Sequence, residues 1–342
     1  MNLSEHILII APNWIGDMVM TQSLFKLVKN HHHDATIDVV CSQRTYPLLQ
    51  RMPEVDEGIL LPVKQGRFAL HRRWSLGRRL KERRYDQAII LPRSFKSAIV
   101  PWVARAKRRT GFLGEARWGL LNDIRNGWDK TPRTIDRFLL LGLDPGQACP
   151  KEFEAPSLMT DREKAYKTLA RLQESVPEAP VLALCPGATF GPSKRWPAEH
   201  FAAVANKKIE EGWRVWLLAS SEEWAITGEI QNLTRDRCLD LAGKIDLLEA
   251  LDLLALANLV LTNDSGLMHL AASLNRPLIA LFGSSDPQRT PPLNPNAKIV
   301  SLDLECSPCF KRHCPLGHWK CMKDLTPGRV LEAMEQCESS KL

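Results

Sequence analysis

The sequence predicts an α/β chain folded as two Rossmann-like, doubly wound domains facing across a cleft. Three observations carry this. Short aliphatic and β-branched runs alternate with helical patterns of roughly 10–15 residues, which is the signature of βαβ units and parallel sheets. The runs are apolar throughout rather than alternating, as in strands covered on both faces. A stretch holding Pro145, Gly146, Pro150, Pro156, Pro177 and Pro180 divides the series into two similar halves.

In the first half the predicted strands are HILIIAP (6–12), TIDVVC (36–41), GILLPV (58–63) and YDQAIILP (85–92). In the second half they are VLALCPG (181–187), WRVWLLAS (213–220), LVLTND (259–264) and RPLIALFG (276–283). Helical patterns cover Asp17–Asn30, Asp161–Glu174, Pro197–Glu211, Leu247–Ala257, Ser265–Leu274 and roughly Pro327–Gln336. This gives an N-terminal α/β domain over 1–160 and a C-terminal one over 176–323. Residues 324–342 hold a terminal helix that could pack back on either domain, with the N-terminal domain as the candidate.

The chain has 342 residues, 44% hydrophobic, 25% charged and 7% aromatic, which excludes disordered, fibrous and collagen-like classes. No apolar run approaches the ~20 residues of a membrane helix. The start, MNLSEHILIIAPNW, lacks the basic region of a secretory signal, and Pro12 and Asn13 interrupt its apolar stretch. Nine cysteines, an odd number spread over a long chain, do not read as a secreted disulfide scaffold. The expected compartment is the cytosol, with thiols reduced.

Charge is unevenly placed. Between Lys64 and Arg137 there are twenty basic residues against six acidic, a net of +14, while the rest of the chain carries −7. This segment suits an anionic partner: nucleic acid, a phosphorylated small molecule or a membrane face. A solvated basic face without a partner is the alternative.

The dinucleotide fingerprint G-x-G-x-x-G is absent, as are the P-loop, H-E-x-x-H, G-x-S-x-G and D-x-D. Ligands of doubly wound sheets bind at the carboxyl ends of the strands, and four segments of interest follow predicted strands. In Ala11–Met18, Gly16 permits a tight turn and Asp17 falls in the first helical turn. It serves either as a carboxylate stabilised by the helix dipole or as a general base. In Pro186–Pro197, two glycines, Thr189 and Lys194 suit phosphate oxygens, the alternative being an ordinary polar loop. In Leu261–His269, a strand runs through Asp264, Ser265 and Gly266 into a helix whose N–H groups favour an anion. The plainer reading there makes Asp264 an N-cap and His269 a packed residue. Finally, Cys306, Cys309, Cys314 and Cys321 lie within sixteen residues, with His313 and His318 nearby. They form either a structural zinc knuckle of unusual spacing or a reduced cysteine cluster.

NWIGDMVM, CPGATFGPSKRWP, TNDSGLMHLAA and CSPCFKRHCPLGHWKCM, in this order at these strand ends, resemble the bacterial lipopolysaccharide heptosyltransferases almost end to end. The resemblance implies the GT-B architecture and an inverting transfer of L-glycero-D-manno-heptose. The implied donor is ADP-L-glycero-β-D-manno-heptose, and the implied acceptor is the inner-core heptose already on Kdo2-lipid A. Asp17 matches the family's catalytic aspartate, the general base for the acceptor hydroxyl. Lys194 and Thr189 match the loop that meets the donor phosphates and stabilises the leaving diphosphate. Asp264, Ser265, Gly266 and His269 match the motif that receives the diphosphate and the neighbouring sugar. No cofactor or metal is then required.

Kdo carboxylates and lipid A phosphates give the basic segment a role, with Arg93, Lys96, Arg109 and Arg117 as candidate acceptor contacts. The chain is expected at the cytoplasmic face of the inner membrane, held peripherally by anionic lipid and without nucleic acid. Two rivals stand beside this reading. One is a transferase of the same fold with another donor or acceptor, including one adding the first heptose. The other is a non-enzymatic nucleic-acid-binding protein, although the segment's aromatics lack the spacing of a stacking platform.

Overall fold

The computed structural model describes residues 5–64 and 66–339, and among them the chain forms two compact units that divide between Met159 and Thr160. The first unit is built on strands β1 (His6–Ile10), β2 (Thr36–Cys41), β3 (Glu57–Leu60), β4 (Gln87–Ile90), β5 (Arg108–Phe112) and β6 (Asp123–Arg125). All are parallel, in the order β3-β2-β1-β4-β5-β6. Its helices are α1 (Ile15–His31), α2 (Leu70–Leu80), α3 (Ile99–Val103) and α4 (Thr134–Gly142). The second unit contains helices α5 (Arg162–Arg171), α6 (Ala198–Glu210), α7 (Trp224–Thr234), α8 (Leu247–Leu254), α9 (Gly266–Ser273), α10 (Lys320–Lys323) and α11 (Pro327–Ser339). Its strands are β7 (Val181–Cys185), β8 (Arg214–Leu217), β9 (Leu239–Asp240), β10 (Leu259–Asn263), β11 (Leu278–Phe282) and β12 (Ala297–Ser301). They lie in the order β12-β11-β10-β7-β8-β9, again parallel.

Counted from the first strand of each unit, both sheets therefore have the order 3-2-1-4-5-6. In such sheets the connections depart in opposite directions from the first and fourth strands, leaving a crevice outside their carboxyl ends. The switch points lie between β1 and β4 in the first unit and between β7 and β10 in the second. The central strands are apolar because helices cover both faces. Ile9 pairs with Val39 on one side and Ile89 on the other, and Leu261 pairs with Leu184 and Ile279. All six side chains are fully buried.

Three expectations change. The terminal helix α11 packs on α6, β11 and β12 of the second unit, not on the first. Val330, Met334 and Cys337 enter that core, and the buried Lys208 Nζ meets Glu338 at 2.6 Å. The proline-rich stretch is also less of a linker than expected. Ser157 and Gln22 exchange hydrogen bonds of 2.8 and 3.1 Å, which ties the end of the stretch to α1. And α5 packs on α8, so the second unit begins at 160 rather than 176.

Candidate active site

The second sheet's switch point gathers the residues predicted to hold the donor. After β7 the chain turns through Pro186 and Gly187 into an exposed Thr189 and then a short 3-10 turn, Pro192–Lys194. Trp196 fixes the exit of this loop. It is fully buried, its indole N–H donates to Leu325 O at 2.8 Å, and its backbone N–H donates to Asn263 Oδ1 at 3.1 Å. Asn263, the last residue of β10, donates in turn to Pro186 O at 2.7 Å. The two switch loops are thus tied together through one amide side chain.

Across this tie, the Lys194 ammonium forms an ion pair with the Asp264 carboxylate. Ser285 Oγ, from the loop after β11, donates to the same Asp264 Oδ2 at 2.5 Å. Asp264 is not the N-cap that the plainer reading required: Ser265 occupies that position, and its side chain makes no capping bond. The first turn of α9, starting at Gly266, is left with backbone N–H groups that no cap side chain uses, beside a fixed lysine. Partial positive charge at a helix N-terminus and a neighbouring ammonium suit an anion together. His269 is buried one turn along the helix. Burial, and less strongly the Lys194 charge, push its imidazole down to about 4 against the opposing pull of Asp264. It is a neutral group at physiological pH and adds no charge to an anion site.

Several contributors were missed at the sequence level. Ser285 is one. Phe190 is another, with Lys194 Nζ 5.0 Å and Arg312 Cζ 5.3 Å from its ring centroid. Glu223 is a third. One of its carboxylate oxygens accepts from Ser220 N and Oγ at 3.1 and 2.9 Å. The other, buried Oε1, accepts no hydrogen bond among the described residues, and Arg195 lies 4.0 Å away. A Cβ on Gly187 would sit 2.3 Å from this carboxylate, so a larger residue there would push Glu223 out of its present position. A buried acceptor without a donor is costly, and a ligand hydroxyl would satisfy it. No motif in the sequence marks a glutamate after β8.

The cysteine-rich segment packs against the same loop. Ser193 N and Oγ donate to Arg312 O and Lys311 O at 3.2 and 2.5 Å, and Phe310 N donates to Ser284 O at 2.7 Å. Burial, followed by the charges of Cys309, Cys306 and Cys314, raises the Cys321 thiol to about 11, so the four sulfurs share one neighbourhood. Among the described residues no group of three or more His, Cys, Asp or Glu is arranged to hold a metal ion.

In the first unit, Asp17 lies half-buried in the first turn of α1, after β1, where Trp14 is the N-cap without a side-chain bond. Helix-dipole stabilisation and general-base use both fit this placement. A cavity of about 60 Å³ at the carboxyl ends of β1, β2 and β4 is lined by Asn13, Lys64 and Lys96, among others. Lys96 donates to Gly66 O at 3.0 Å. Arg93 is exposed, with its guanidinium 4.4 Å above Trp128.

The other two acceptor candidates need correction. Arg117 is fully buried and donates to the carbonyls of Pro92 and Phe112 and to Ser97 Oγ. Burial, then repulsion from Arg93, lowers it to about 10. It braces the loops after β4 and β5 instead of presenting a charge. Arg109 reaches back to Ala106 O, before β5 begins, and to Leu120 O, both at 2.7 Å. It therefore points toward the amino ends of the strands, away from the switch point. Charge and sequence position could not separate these bracing arginines from free ones.

Paired sheets of this order, with a carboxylate and a lysine at their switch loops where a nucleotide fingerprint would otherwise stand, form the frame of a GT-B glycosyltransferase. Residues 73–320 match the profile of glycosyltransferase family 9 (heptosyltransferase), and the chain belongs to that family. It is 41% identical over 342 residues to lipopolysaccharide heptosyltransferase 2 of Escherichia coli K12, covering 96% of this chain and 97% of that protein. It is 40% identical to lipooligosaccharide heptosyltransferase 2 of Haemophilus influenzae, covering 97% and 99%. Among solved structures it superposes on E. coli ADP-heptose LPS heptosyltransferase II with a TM-score of 0.87 at 38% identity, covering 98% and 99% of the two chains.

Proposed function

We propose that this glycosyltransferase moves L-glycero-D-manno-heptose from ADP-L-glycero-β-D-manno-heptose to the first inner-core heptose of Kdo2-lipid A, with inversion at the sugar carbon. The observation that carries this reading is Lys194, held by Asp264 beside the open N-terminus of α9. An ammonium fixed in advance costs no reorganisation when charge appears on a leaving group.

In this reaction the acceptor hydroxyl oxygen attacks C1 of the donor heptose while Asp17 takes its proton. The bond from C1 to the β-phosphate oxygen breaks, and ADP departs with the electron pair. Lys194 has further N–H donors to offer that oxygen beyond the one given to Asp264. Thr189, Ser265 and the N–H groups at Gly266 add hydrogen bonds to the diphosphate, and Glu223 receives ribose hydroxyls. His269, neutral and buried, shapes the floor of the site rather than charging it. With lysine and helix dipole supplying positive charge, the reaction needs no divalent metal. Lys96, Lys64 and Arg93 meet the anionic acceptor. The chain works at the cytoplasmic face of the inner membrane, bound peripherally. Among the described residues no helix is long and apolar enough to cross a bilayer.

Mass spectrometry of products from ADP-heptose and Kdo2-lipid A carrying no heptose or one heptose tests the assignment. One heptose is expected to add to the monoheptosylated acceptor alone. Addition to the unheptosylated acceptor would instead establish transfer of the first heptose.

A further inference from the structure

A second basic region lies away from the switch points. α2 (LHRRWSLGRRL) buries Arg73, Leu76, Gly77 and Leu80 and exposes the rest, so it is an amphipathic helix with a cationic outer face. It packs so closely on α3 that a Cβ on Gly77 would come within 2.6 Å of Val103 Cβ. Together the two helices present one continuous surface.

At one end of this surface is a hollow of about 1020 Å³, lined by Arg78, Lys81, Arg84 and Arg105. Among the described residues none of these four side chains has a hydrogen bond or ion pair. Glu82 is the one acid in the lining. Trp74 and Trp102 line the same hollow, 44% and 41% exposed, their rings 5.9 Å apart and edge-on. Phe68 and Phe95, also exposed, stack on each other at 6.5 Å further along the face, and Leu70 is exposed beside them on α2.

We propose that the α2–α3 face is the surface by which the chain lies on an anionic phospholipid bilayer. Unpaired arginines and lysine match phosphate headgroups, while indole rings settle at the level where headgroups meet acyl chains. The aromatics argue against a nucleic acid. The two tryptophans meet edge-on and the two phenylalanines cover each other, so neither pair forms a row of free ring faces for successive bases. The hollow also lies at the amino ends of β4 and β5, remote from the switch loops that take the donor, so it is not a sugar-nucleotide subsite. The proposal rests on the function above in one respect: a lipid-linked acceptor places the chain at a bilayer.

Flotation with vesicles of phosphatidylethanolamine and phosphatidylglycerol tests it, with phosphatidylethanolamine–phosphatidylcholine vesicles as the neutral comparison. The full chain is expected to float with the anionic vesicles only, and less so as salt rises. The variant Arg78→Gln/Lys81→Gln/Arg105→Gln is expected to lose at least about tenfold in vesicle affinity. Trp74→Ala/Trp102→Ala is expected to weaken binding while keeping its salt dependence. Both should transfer heptose to a de-acylated, water-soluble acceptor at the parent rate, which also shows that they fold. Undiminished flotation by both variants, or equal binding to neutral vesicles, overturns the proposal. So does tight retention of an oligonucleotide by protein that ignores vesicles. Flotation is read without sugar nucleotide, so a failure of heptose transfer would leave this result standing, and the reverse also holds.

Discussion

Lys194 and Asp264 stand seventy positions apart in the chain and meet as an ion pair, with Asp264 buried and Lys194 largely so, where the loops after β7 and β10 come together. Ser285 gives the carboxylate a second donor. The pair sets the ammonium's position but also offsets its charge, so the net field at an incoming diphosphate comes from the lysine and the α9 N-terminus together.

Removing the lysine should separate two effects. Lys194→Ala is expected to lower kcat by roughly 10²–10³, the size seen when one preorganised charge-stabilising group is lost. It also strands a buried carboxylate, which costs about 3 kcal/mol of stability, the lower end for such pairs because Lys194 retains some exposure. Lys194→Ala/Asp264→Asn should restore most of the stability and none of the rate. Chemical denaturation and steady-state kinetics on both variants check this, and a rate recovered in the double variant would move the leaving-group role elsewhere.

Asp17→Asn keeps the size and hydrogen-bonding capacity of the side chain and removes its basicity. Turnover should fall to background while ADP-heptose affinity, measured by calorimetry, changes little. A variant that keeps most of its kcat would return Asp17 to the role of a helix-terminus charge.

Glu223→Gln retains one acceptor oxygen but replaces the other with an amide donor facing the site. The expected result is a rise of about tenfold in the donor KM, equivalent to roughly 1.4 kcal/mol, with kcat changed far less. Equal affinity in variant and parent would leave the orphan oxygen of Glu223 without a ligand partner.

Stability should depend on pH through His269. Its folded-state value is depressed, to about 4 from an ordinary 6.5, so its contribution is complete above pH 6.5 and is lost as pH falls toward 4. By pH 5 the loss amounts to about 2 kcal/mol. Thermal melts between pH 7 and pH 5 should show this slope, and His269→Asn should flatten it while lowering stability at pH 7. Asp56, held low against burial by the Ile37 backbone N–H and then by Lys29, and Glu211, held low by Lys208, give way only at more acidic pH.

The cysteine segment offers a direct choice between the two readings of its spacing. Without metal, all four thiols should titrate with a thiol reagent in native protein, and chelator should make no difference. Cys314 should react first, because backbone N–H groups, that of Trp319 foremost, hold it below the ordinary thiol range. One zinc per chain, with thiols released only by chelator, would establish the knuckle instead.

The sequence made the central strands legible because burial on both faces leaves apolar runs at their centres, as in 7–10 of β1, 88–90 of β4, 181–185 of β7 and 259–261 of β10. β5 (RRTGF), β6 (DIR), β9 and β12 (AKIVS) were not read as strands. They lie toward the sheet edges, are short, and carry arginine, aspartate or lysine that edge positions tolerate. In the same way the segments carrying Lys194, Asp264 and Asp17 stood out because each lies between an apolar strand and the helix that follows it. Ser285 and Glu223 were not, because their meaning comes from contacts with loops a hundred or fewer residues away that no local pattern encodes. Arg117 and Arg109 show the converse limit, since a guanidinium bonded to carbonyls looks no different in sequence from one awaiting a phosphate.

The repeated strand order has a consequence for how such enzymes can be recombined. Each sheet closes within its own stretch of chain, with Met159 and Thr160 at the seam. A chimera joined there would inherit one intact core from each parent and disturb no backbone ladder. On the assignment proposed above, with the acceptor at Lys64, Arg93 and Lys96 and the donor at Lys194 and Asp264, such a join would exchange the two specificities between relatives as separate modules.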